Sequence, residues 1–232
     1  MANDYYDATG VLMLERVTPV ITALFGGFDL DESYPGDGQA YIARLSESSD
    51  PQWSDVLEAL TDLASQLDLP VPDDDDSEND PMGTIIEVLA KHFGTDQNPE
   101  LQNLVEHHQF EDSADLEALM LIASCFNDGY NLAAIQFEGC WHCSKPRLFE
   151  FGGEGCFLSR ELSVFSGSRQ ALDLGLDLRQ AILADDLDQA AARIAKETLS
   201  LLAGVSEESI RDRLRRRVIE QLLGTASSPA PV

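Results

Sequence analysis

Apolar residues recur with helical period through most of the chain, and proline marks several of the starts. Asp50-Pro51, Asp80-Pro81 and Asn98-Pro99 each set a capping side chain before a proline, whose missing N–H costs nothing at the first helical position. The first helix predicted in this way carries Trp53, Val56, Leu57, Leu60, Leu63, Ala64 and Leu67 as one stripe. The second carries Ile85, Ile86, Val88, Leu89 and Phe93 and stops at Gly94. A short third holds Leu101, Leu104 and Val105, and Ser113 is expected to cap a fourth over 114–126, ended by the turn signal Asn127-Asp128-Gly129. Upstream, 11–25 reads as a helix that Thr18-Pro19 kinks or restarts, and 26–49 as a loop with one turn of helix around Tyr41-Ile42-Ala43.

The pattern shifts in the middle. Residues 132–138, 147–151 and 156–159 are short β-type runs, separated by 139–146 and by the turn-like Gly152-Gly153-Glu154-Gly155. Helical period returns over 168–184, 186–202 and 206–223, the last two stopped by Gly204 and Gly224. The expected fold is α+β: mostly helical, with a small three-stranded antiparallel meander near the middle and a C-terminal helical cap. The expected organisation is an acidic helical region at 1–126 with a linker at about 70–80, the meander plus C-terminal helices at 127–224, and a flexible tail at 225–232.

Charge changes this picture more than composition does. The formal net charge is −27, and residues 1–123 hold 27 Asp and Glu against three basic residues, Arg16, Arg44 and Lys91, while 124–232 hold 15 against 12. Such a field repels nucleic acid and anionic lipid and attracts basic surfaces, so a direct nucleic-acid reader is disfavoured. Host adaptation to salt would also produce acidity, but it would not stop at mid-chain. MANDYYDATG has no basic or apolar leader segment, and no run of about 18 apolar residues exists, so a cytoplasmic protein without a membrane span is expected.

Candidate chemistry is concentrated in GCWHCSKPRLFEFGGEGCF, residues 139–157. One CxxC supplies two zinc ligands from a tight turn, and a hairpin could return Cys156 beside Cys140 and Cys143. A fourth ligand would come from Cys125, His142, His107 or His108. A redox pair would need a helix after the CxxC, where an extended segment is predicted instead, and a thiol enzyme would need His142 as base for Cys140 or Cys143. Plain, partly buried thiols in strands are the remaining reading. Neither a G-x-S-x-G, P-loop, GxGxxG nor HExxH motif occurs, so no enzyme and no cofactor other than zinc is expected. The C-terminal helix adds Arg211, Arg213, Arg215, Arg216 and Arg217 opposite an apolar face, a surface that could pair with the acidic half of the same chain or of a second copy in a homodimer.

With Gly139, Trp141-His142, Gly152-Gly153 and Phe157-Leu158 in view, the block resembles the ArdB/KlcA antirestriction family over about residues 139–160. The spacing between its two halves is longer here, and Cys stands at aromatic positions. The resemblance implies a non-enzymatic protein that blunts a host defence nuclease. The function expected from the charge is a non-catalytic acidic binding or inhibitor protein engaging a basic, nucleic-acid-binding surface of a partner protein. Its candidate contacts are Asp73, Asp74, Asp75, Asp76, Glu78 and Asp80 with Asp55, Glu58 and Asp62. The alternatives are a structural-zinc interaction module on the CxxC hairpin and a thiol-dependent enzyme.

Overall fold

The structure is a computed structural model that describes residues 4–71, 80–145, 148 and 150–225. The chain forms two compact units, Met1–Leu158 and Ser159–Val232. Among the described residues there are six strands and eight α-helices: β1 (Asp4–Met13), α1 (Pro19–Phe25), β2 (Asp31–Pro35), β3 (Gln39–Leu45), α2 (Trp53–Gln66), α3 (Pro81–Phe93), α4 (Pro99–His107), α5 (Leu116–Cys125), β4 (Ala134–Cys143), β5 (Phe151–Ser159), β6 (Ser163–Gly167), α6 (Ser168–Leu183), α7 (Leu187–Ala203) and α8 (Glu208–Thr225).

The α+β class holds, but the three-stranded meander does not. The sheet is antiparallel and six-stranded, in the order β2-β3-β1-β4-β5-β6. Three of its strands, β1 to β3, come from the first 45 residues, where helix was expected over 11–25 and loop over 26–49. β1 runs at its centre, pairing with β3 on one side from Asp7↔Leu45 to Met13↔Gln39 and with β4 on the other from Asp4↔Cys143 to Met13↔Ala134. The acidic helices and the Cys-bearing strands therefore belong to one unit.

Small inward residues hid these strands. Ala8 and Leu12 of β1, Ala40 and Ile42 of β3, and Ile135 and Phe137 of β4 share the buried face, but Ala and Gly10 weaken the apolar alternation that a strand normally shows. Gly10 is there for space: a Cβ would lie 2.1 Å from the Gln136 carbonyl oxygen and 2.5 Å from the Phe137 ring. Helix formation begins only at Pro19, where Thr18 Oγ1 accepts the Ile21 N–H, so 11–13 are strand and 19–25 are helix.

The other helix starts follow capping chemistry with two changes. Asp80 and Asn98 cap α3 and α4 as expected, and Gly94 ends α3 in the left-handed conformation at φ 70°. Asp50 does not cap α2. Gln52 does, in a capping box with Asp55, while Asp50 accepts from Arg44 Nε at 2.7 Å and from Ser113 Oγ. Ser113 is thereby engaged, and α5 is capped by Asp115 instead.

Helices α1–α5 cover one face of the first unit's sheet. Ile21, Leu24, Phe25, Leu60, Ile85, Ile86, Leu89, Leu119, Ile122 and Phe126 are almost wholly buried with Ile42 and Ile135 of the strands. Trp53 is buried edge-on to Phe110 and His108. The likeness of LEALTDLAS in α2 to LEALMLIAS in α5 is one of burial pattern: Leu60 matches Leu119, Leu63 matches Ile122 and Ala64 matches Ala123, all buried. In the second unit β6 leads into α6, a short connection reverses the chain into α7, and the Ser163 N–H donates to the Gly204 carbonyl at 2.8 Å.

Candidate functional site

The cysteine block is strand where turns were expected. β4 continues through the CxxC to Cys143, and Gly152 to Gly155 lie inside β5. Alternation then decides the outcome: residues three apart on a strand point to opposite faces, about 10 Å apart along it. Cys143 is accordingly buried and Cys140 exposed. The two thiols therefore do not point to one side from a common turn in this strand. Cys156 is half-buried on β5, and Cys125 is buried at the end of α5, where its Sγ accepts from Asn98 Nδ2 at 3.5 Å. His142 stacks on Tyr5, its partner in register across β1 and β4, with ring centroids 5.1 Å apart. His108 accepts the Phe110 N–H at Nδ1 and donates from Nε2 to Asp115 Oδ2 at 2.9 Å, so it braces the cap of α5. Among the described residues no group of three or more His, Cys, Asp or Glu is placed to hold a metal ion.

The glycines answer to an aromatic ring. A Cβ on Gly152 would lie 2.1 to 2.5 Å from three atoms of the Trp141 indole, and a Cβ on Gly139 would meet the Tyr6 hydroxyl at 2.6 Å and Ala8 Cβ at 2.7 Å. Tyr6, opposite Trp141 in the register, donates its hydroxyl to Glu154 Oε1 at 2.8 Å, and the Arg44 guanidinium lies 5.3 Å from its ring centroid. Burial first, then the hydrogen bond to Glu154, raises the Tyr6 phenol well above its ordinary range. Burial, then the charges of Glu154 and Glu117, raises the Cys156 thiol too. A raised thiol carries little thiolate at neutral pH, the opposite of what a nucleophile or a redox cysteine needs. Tyr6, Trp141, Gly152 and Glu154 lock β1, β4 and β5 together; the Tyr6–Glu154 contact spans 148 residues, and local pattern contains no signal for it.

The carboxylates are the other candidate. Residues Asp73, Asp74, Asp75, Asp76 and Glu78 lie outside the described residues, as do Pro146, Arg147 and Phe149. Asp80 is exposed but spends one oxygen on the Met82 N–H at 3.1 Å. Asp55, Glu58 and Asp62 are exposed at three- and four-residue spacing on one side of α2. Asp55 also accepts the Gln52 N–H at 2.8 Å, whereas neither Glu58 nor Asp62 has an ion-pair partner among the described residues.

Two grooves carry further carboxylates. Asp62 and Glu32 border one of about 520 Å³ with Val17, Pro19, Ala23, Ala59 and Leu63. Glu87, Asp96 and Glu106 border a second of about 440 Å³ with Ile86, Leu101 and Val105 beside Lys91. Aliphatic lining with a carboxylate rim suits the stem and head of a Lys or Arg side chain. The first groove could not be found from the sequence, because Glu32 and Asp62 come from β2 and α2, with 29 residues between them.

The fold and this surface define an acidic α+β protein with helices packed on one face of an antiparallel sheet. No protein-family model, curated protein or solved structure matches the chain. None of the helices in the described residues is long and apolar enough to cross a membrane.

Proposed function

We propose that this protein is a non-catalytic acidic binding protein that engages a basic, nucleic-acid-binding surface of a partner protein in the cytoplasm. One observation carries the reading: the first unit holds 31 acidic residues against five basic, a net charge of −26, while the second unit is at −1. The charge is therefore a property of one folded body and not of the chain at large. Carboxylates on α2 and around the two grooves would occupy Lys and Arg positions that otherwise neutralise phosphates, in competition with nucleic acid. The resemblance of residues 139–160 to an antirestriction family suggests a defence nuclease as the kind of partner.

The test is capture of proteins from a lysate of the source cells at about 0.05 M and about 0.5 M salt, where screening lengths differ severalfold. Basic nucleic-acid-binding proteins should be retained at low salt, released at high salt and displaced by duplex DNA. Glu32→Gln with Glu58→Gln and Asp62→Asn should weaken retention. If nothing basic is held at low salt, charge competition is wrong.

A further inference from the structure

The two grooves differ in what their own residues leave free. In the second, Lys91 already supplies a cation, Gln97 Nε2 donates to Asp96 Oδ2 at 2.8 Å and Gln102 Nε2 to the Asp96 carbonyl at 2.9 Å. The first has no basic residue in its lining. Its polar groups are Glu32 on β2, Thr18 and Thr22 one turn apart at the start of α1, and Asp62 and Gln66 one turn apart on α2. Among the described residues Glu32, Asp62, Thr22 and Gln66 make no side-chain hydrogen bond or ion pair. Thr18 is 8% exposed and accepts the Ile21 N–H at 3.5 Å, but its own hydroxyl proton goes to no described acceptor. Buried polar groups normally find partners, so this donor points to a group that the folded chain does not itself supply.

Building on the reading of a basic partner, we infer that this groove is the anchor point, and that it takes one Lys or Arg side chain carried on an extended peptide segment of that partner. The cationic head pairs with Glu32 and Asp62, and the aliphatic stem lies along Val17, Ala23 and Ala59. Backbone carbonyls of the segment accept from the hydroxyls of Thr18 and Thr22 and from the Gln66 amide. The volume of about 520 Å³ is that of a small-ligand site, which leaves room for backbone beside the side chain.

Charge and donor chemistry together select this occupant. Two carboxylates without a cation repel a phosphate or a carboxylate ligand. A free basic amino acid would bring its own carboxylate beside those two, whereas within a chain the same residue presents only neutral carbonyls. A linear polyamine satisfies Glu32 and Asp62 but has no acceptor for the hydroxyl and amide donors. A basic peptide segment meets both requirements, and a long cationic side chain seated in a pocket is the usual form of an interface anchor.

Titration of the ¹⁵N-labelled full chain at about 0.05 M salt tests this. The probes are an end-blocked pentapeptide with arginine at its second and fourth positions, its neutral citrulline counterpart, and spermidine. The arginine peptide should shift the amides of Thr18, Thr22, Asp62 and Gln66 most and saturate with a dissociation constant of about 1 mM, the citrulline peptide binding at least about tenfold more weakly. Glu32→Gln with Asp62→Asn should weaken the arginine peptide about tenfold, while Glu87→Gln with Glu106→Gln in the second groove should leave it within about twofold. Thr22→Val with Gln66→Leu should cost the peptide about threefold or more and spermidine less than about twofold. These positions are exposed, so the fold should survive, with unchanged far-UV circular dichroism as the check. Shifts spread over the first unit without saturation, shifts centred on Lys91, or equal binding of the citrulline peptide would overturn the inference. So would equal losses for peptide and spermidine in the Thr22 and Gln66 variant. Saturable binding here without capture of basic proteins from a lysate would uphold the groove and count against the partner, and capture without binding here would do the reverse.

Discussion

Substitution of Gly152 by Ala isolates the contact that locks β4 to β5. The added methyl would lie 2.1 to 2.5 Å from three atoms of the Trp141 ring, where ordinary carbon contacts are about 3.5–4.0 Å, so ring or strand must shift by more than about 1 Å. Overpacking of this kind costs about 1–3 kcal/mol, and for a domain of about 150 residues each kcal/mol lowers the melting temperature by about 2–4 °C. A fall of roughly 6 °C is therefore expected. The sign should reverse when the ring is absent. Gly152 does not occupy the positive-φ region, so Ala is sterically admissible there and reduces the freedom of the unfolded chain, a gain of about 0.4–1 kcal/mol. A double-mutant cycle by denaturant unfolding measures this: Gly152→Ala destabilises in the Trp141 background and is neutral to stabilising in the Trp141→Ala background, with a coupling of about 2 kcal/mol. An equal loss in both backgrounds would refute the argument that this glycine serves the ring, and would return it to a role in backbone conformation.

Other measurements test neighbouring steps. Under native conditions near pH 8, a thiol reagent should label Cys140 first and Cys156 slowly, with Cys143 and Cys125 labelled only as the structure opens; simultaneous labelling of Cys140 and Cys143 would contradict their opposite faces. Because folding raises the Tyr6 phenol above its unfolded value of about 10, its contribution to stability is complete below that pH and is lost as pH rises through the higher folded value. The denaturation midpoint should thus fall above pH 10, and Tyr6→Phe should flatten that dependence; an unchanged slope would count against the hydrogen bond from the half-buried Tyr6 to Glu154. Asn98→Ala removes the acceptor for the Glu100 and Leu101 N–H groups and should cost about 1–2 kcal/mol, read from the unfolding midpoint.

Helix starts and stops were legible because capping is local: Asp80, Asn98 and Gly94 act on backbone groups within four residues of themselves. The exceptions involve a distant competitor. Asp50 turns to Arg44 and Ser113, and the helix start moves to Gln52. The strands were less legible. In β1 the inward positions are Ala8 and Gly10 because β4 presses close, and in β5 Gly152 yields to Trp141, so residues that announce turns in isolation mark crowding between strands here. The CxxC was visible as a motif, but whether its thiols converge depended on whether β4 ended before it or ran through it.

The sequence alone determined the unequal charge of the two parts, the helical period of α2 to α8 and the capped helix starts, since each depends on residue type and near-neighbour spacing. Only the tertiary structure decided that 4–13 and 31–45 are sheet, that Cys140 and Cys143 face apart, and that Glu32 joins Asp62 around a groove. Strand pairing and the burial of a face are contacts between segments far apart in the chain. The free energy that selects them is absent from any local window, so Ala-Thr-Gly becomes a central strand only once Phe137 and Ile42 lie on either side of it.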